Sequence, residues 1–212
     1  MKNNEIIADI ELLNKYEYYA WEIVCELRAA DDLDHKKVKE VLGILENMVE
    51  VYKGKNQIDK LVAETFESIP ETIIDIGKIN IVEGKEIQLF GYKYLEFRTL
   101  ILGKKIYSKQ TIVNKELIDE FKENSIGETG IFHLIKQNNK LDMEKVKKIF
   151  KALNDMVKIY EDHCIIDKEI VEIIISINFY LYEENLQTNG QISNNFVGQF
   201  QNYKRKLFEI KE

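Results

Sequence analysis

Apolar residues recur along this chain at helical rather than strand spacing. Val38, Val41, Leu42, Leu45, Val49 and Tyr52 fall on one face of a 3.6-residue period, and so do Val146, Ile149, Phe150, Leu153, Val157 and Tyr160. The two stripes lie 108 residues apart. Laying 33–69 over 141–177 needs no gap and gives 15 identities in 37 pairs. Self-similarity at a fixed offset is the mark of a duplicated unit. The pattern therefore predicts an all-α fold, a tandem duplication of a four-helix unit with a period of 108 residues. Residues 1–108 form the first unit and 109–212 the second, expected to pack together as one body.

Each copy divides into the same segments. Asp34 and Asp142 stand where a carboxylate can accept from the unpaired amides of a first helical turn. Gly54 is placed to end the helix that Asp34 opens. Ile58, Leu61, Val62, Thr65, Phe66 and Ile69 give the next helix, which Pro70, the only proline, is expected to end. At an offset of 106, Phe90, Tyr94, Phe97 and Ile101 align with Phe196, Phe200, Tyr203 and Leu207 as the last helix of each copy. Between these helices, residues 78–89 alternate around Glu83-Gly84, a pattern that allows a short β-hairpin. The first helix of copy one is expected over 4–30, capped at Asn3 or Asn4. Its counterpart is interrupted by SIGETG at 125–130.

Composition narrows the class. The net charge is −7, and there are only three arginines, which argues against a nucleic-acid binder. No apolar run approaches the ~18 residues of a membrane span. Two cysteines, Cys25 and Cys164, give no disulfide framework and point to a cytoplasmic protein. His163-Cys164 beside Glu161 and Asp162 supplies no tetrahedral metal set, and no cofactor fingerprint is present. Neither a cofactor nor a metal is expected.

Two candidate sites remain. The first helix carries one apolar stripe through Ile6, Ile10, Leu13, Ala20, Val24 and Leu27, and a second through Leu12, Tyr16, Tyr19 and Ile23. A helix apolar on two faces is sandwiched between layers or presents one face to a partner. Residues 1–34 hold nine acids against Lys2, Lys15 and Arg28, or 3 − 9 = −6. Tyr16, Tyr19 and Ile23 would then anchor a basic protein, with Glu22 and Glu26 steering its approach. The second candidate is the pair Arg28 and His35, whose spacing resembles the R-x4–6-H motif of the HEPN ribonucleases, small all-helical proteins. That resemblance covers eight residues and implies a cation that holds the scissile phosphate beside a general acid or base. Ala29 and the acids Asp31, Asp32 and Asp34 depart from the motif's polar, phosphate-tolerant setting. The expected function is a non-enzymatic protein-binding module, an inhibitor or adaptor of the immunity-protein or antitoxin kind. The alternatives are a HEPN-like ribonuclease and a structural component of an oligomer, and a homodimer is compatible with each.

Overall fold

Caps and turns fix where the helices of this chain begin. The computed structural model describes residues 6–29, 32–103, 112–138, 141–187 and 194–210. Among them the order is α1 (Ile10–Arg28), α2 (His35–Val51), β1 (Gln57–Asp59), α3 (Lys60–Ile79), α4 (Gly84–Leu102), α5 (Lys115–Ser125), α6 (Ile131–Asn138), α7 (Met143–Tyr160), β2 (Ile165–Asp167), α8 (Lys168–Gln187) and α9 (Asn194–Phe208). The fold is mostly helical, and the chain divides into an N-terminal unit, 2–107, and a C-terminal unit, 108–212. The Asp34 carboxylate accepts from the amides of Lys36 and Lys37, and that of Asp142 from Glu144 and Lys145. β1 and β2, like α3 and α8, occupy windows offset by 108 residues.

Three expectations are corrected. Helix α1 starts at Ile10, because Asp9 caps it by accepting from the Glu11 and Leu12 amides. The amides of Ile7 and Ala8 are drawn away to the Asp59 carboxylate, each at 2.9 Å, which keeps that stretch out of the helix. The 78–89 segment holds no strand; α3 runs to Ile79 and α4 begins at Gly84. Its alternation reflects a tight interhelical turn instead. Pro70 lies inside α3, not at its end. A mid-helix proline leaves the carbonyl four residues earlier without its amide. Arg98 fills that vacancy, since its Nη1 donates to the Phe66 carbonyl at 2.8 Å and sits 2.7 Å from Glu71 Oε1.

Within the N-terminal unit, α1 and α4 each pack on both α2 and α3, so they face one another across the bundle. α3 and α4 approach closely because glycines line their contact. A Cβ at Gly84 would lie 2.4 Å from the Gly77 carbonyl oxygen, and one at Gly91 would lie 2.6 Å from Ile74 Cγ1. At the centre, Tyr16 of α1 and Tyr94 of α4 are hydrogen bonded through their hydroxyls. Thr65 Oγ1 of α3 joins them at 2.8 Å from Tyr16 Oη, and all three residues are buried.

The C-terminal unit places α5 against α6, α7 and α8, and α7 against α9. The SIGETG stretch separates α5 from α6, where a Cβ at Gly130 would meet the Ser125 carbonyl oxygen at 2.4 Å. Asn114 caps α5 as Asp9 caps α1. Counting from those caps, Phe121 takes the place of Tyr16; by the sequence offsets, Ile173 replaces Thr65 and Phe200 replaces Tyr94. All three are buried, and none of them carries a hydroxyl.

Candidate functional site

The surface predicted on α1 is largely interior. Tyr16 and Ile23 are buried core residues, so neither can anchor a partner. The second apolar stripe is consumed because α2 and α3 flank α1 on two sides. Tyr19 is half-buried, set against Tyr18 at 5.5 Å between ring centroids and under the Lys15 ammonium at 5.7 Å. Glu22 and Glu26 are tied up as well. Lys37 Nζ lies 2.9 Å from Glu22 Oε1 and also pairs with Glu26. These carboxylates hold the Lys37 proton more tightly than usual. Two acids sharing one internal cation have little field left to steer an incoming protein.

Arg28 and His35 sit at one end of the N-terminal unit. Arg28 is exposed in the last turn of α1, and His35 opens α2. His35 Nε2 is 3.6 Å from Glu86 Oε2 at the start of α4. The Glu86 carboxylate thus lies beside the imidazole, and its negative charge disfavours a phosphate there. Tyr160 and His163 meet edge to face at 6.3 Å. Among the described residues, no group of three or more His, Cys, Asp or Glu side chains is placed to hold a metal ion. Nor is any of their helices long and apolar enough to cross a membrane.

The same end of the unit carries a feature that sequence reasoning missed. Ile79, Ile81 and Val82 are 80, 98 and 89% exposed at the α3–α4 turn. This apolar knuckle is held in shape from both sides. Asn80 Oδ1 accepts from the amides of Val82 and Glu83, at 3.0 and 2.9 Å. The Glu83 carboxylate in turn accepts from the Leu33 amide at 2.7 Å, pinning the turn to the segment before α2. Gln88 Nε2 bridges the Gly77 and Gly84 carbonyls beneath it at 3.0 and 3.1 Å. The available signal was Asn80-x-x-Glu83, an asparagine able to close a turn ahead of a helix start.

Comparison of the chain with family models, with curated proteins and with solved structures gives no match.

Proposed function

We propose that the chain is a non-enzymatic protein-binding module, an inhibitor or adaptor of the immunity-protein or antitoxin kind, acting on a basic protein. The observation that carries this reading is the knuckle of Ile79, Ile81 and Val82, almost fully exposed on a turn pinned by Asn80 and Glu83. Exposed apolar side chains in a group mark interaction sites. A turn already fixed in shape loses little conformational freedom when it docks, so more of its burial appears as affinity. The chain's charge of −7 suits a partner of opposite sign.

The reading is tested by placing a photo-crosslinking residue at Ile81 in the full chain, with Gly198 on α9 as the control position. A single basic protein crosslinked from position 81 in the native host, and absent with Val82→Ser, is the expected result. Equal labelling from both positions, or no crosslinked partner from position 81, overturns it.

A further inference from the structure

We propose that the outer face of α4 is a homodimer interface, on which a second copy of the chain lays its own α4 antiparallel. The face is built from Leu89, Tyr92, Lys93, Glu96 and Leu100, all exposed. The three apolar members are 55, 53 and 54% exposed, half their area facing water on one side of one helix. The glycine contact with α3 explains why this side is outermost. Gly84 and Gly91 press the opposite face of α4 against α3.

The second unit gives the contrast that makes this face informative. At the offset of 106 that aligns Phe90 with Phe196 and Ile101 with Leu207, Leu89 becomes Asn195 and Tyr92 becomes Gly198. Leu100 becomes Lys206, and all three replacements are exposed. The inner face of the helix is kept apolar in both units, with Phe90, Tyr94 and Ile101 buried like Phe196, Phe200 and Leu207. Two copies of one helix thus share their buried side and differ on their outer side. A solvated helix has no physical need for leucines where its twin carries asparagine and lysine.

The pattern also identifies the occupant. Leu89, Lys93, Glu96 and Leu100 are spaced by four, three and four residues, the spacing of a helix–helix seam. In an antiparallel pair, residue i meets the second copy's residue 189 − i when the two helices are centred between Lys93 and Glu96. That one register sets Leu89 against Leu100, Leu100 against Leu89, Lys93 against Glu96 and Glu96 against Lys93. Both apolar layers and both charge pairs are satisfied together. A parallel pair would set lysine on lysine and glutamate on glutamate, a like-charge penalty that selects against it. Among the described residues, neither Lys93 nor Glu96 takes part in an ion pair within the chain. A single pair of helices this long is a small interface, so association is concentration-dependent. The inference stands apart from the knuckle and does not rest on the proposed function.

Sedimentation equilibrium on the full chain, from about 1 μM to about 1 mM, is the test. The wild type is expected to show a monomer–dimer equilibrium. Glu96→Lys or Lys93→Glu alone should weaken it by about ten-fold or more, and the double exchange Lys93→Glu/Glu96→Lys should restore it. Leu89→Asn, the residue found in the second unit, should also weaken it, whereas Lys206→Glu on α9 should leave it unchanged. These side chains are exposed, so unchanged circular dichroism accompanies each variant. A wild type that stays monomeric throughout overturns the proposal, as do single reversals without effect or a double exchange that fails to restore the dimer.

Discussion

Tyr52 donates its hydroxyl proton to the Asp59 carboxylate at 2.5 Å, seven residues further on, and Tyr160 repeats the bond to Asp167 at the same length. Each carboxylate also accepts from two backbone amides, Ile7 and Ala8 in one unit and Ile112 and Val113 in the other. The segment entering α1 is thereby fastened to the end of β1, and the segment entering α5 to the end of β2. Asp59→Asn exchanges a buried anion for a neutral amide whose nitrogen cannot accept, at an expected cost of about 2–3 kcal/mol. Tyr52→Phe leaves the two amide bonds in place and should cost about 1 kcal/mol. Urea midpoints at neutral pH measure both, and equal losses would contradict the ranking.

Stability should pass through a maximum near pH 10. Burial pulls the Lys168 ammonium down to about 8, so between pH 8 and its ordinary 10.5 the unfolded chain carries a proton the folded one has shed. Stability therefore rises with pH across that window. Burial pushes the hydroxyls of Tyr16, Tyr52, Tyr94 and Tyr160 well above their ordinary 10, and the neighbouring carboxylates raise Tyr52 and Tyr160 further. Those four contribute fully below pH 10 and lose their contribution as pH climbs beyond it, because the unfolded chain ionises first. Denaturant midpoints across pH 7–12 test the shape. Phenolate absorbance should show four of the eleven tyrosines silent until the chain unfolds.

Glycine substitutions should change sign with position. Gly84→Ala and Gly91→Ala force a methyl group into the α3–α4 contact and should each destabilise by about 1–3 kcal/mol. Gly43 and Gly198 have nothing within 4 Å of an added Cβ and lie inside helices, so alanine should stabilise by about 0.5–1 kcal/mol. Thermal melts of the four single variants separate the two groups.

Arg98 and Pro70 should be coupled. Arg98→Ala removes the donor from the Phe66 carbonyl and the partner from Glu71, at an expected cost of about 2–3 kcal/mol. In a Pro70→Ala background the new amide at position 70 can reach the same carbonyl, so the loss should shrink. A double-mutant cycle in urea reads that difference directly, and additive losses would contradict the assigned role.

Local signals carried further than long-range ones. The stripes of α2 and α7 and their caps Asp34 and Asp142 were legible, because periodicity and capping depend on residues within one turn. The start of α1 was not, since the hold on Ile7 and Ala8 comes from Asp59, more than fifty residues away. Pro70 misled for the same reason, its compensation arriving from Arg98 on another helix. At the candidate sites, the two stripes of α1 announced two contacts without saying that both are internal. Ile79, Ile81 and Val82 belong to the alternation that allowed a hairpin over 78–89, and their exposure was not legible because it depends on what packs beside a turn.

Two similar units tethered in one chain run the hazard that a helix of one inserts into the bundle of the other. The hydroxyl trio of Tyr16, Thr65 and Tyr94 against the all-hydrocarbon set of Phe121, Ile173 and Phe200 works as a lock between them. If α1 were to close on α8 and α9, the Tyr16 hydroxyl would lose the Tyr94 and Thr65 partners of its own unit. Each such error strands buried polar atoms at about 1–3 kcal/mol apiece. Cross-assembly of the two units is thereby disfavoured by chemistry rather than by shape.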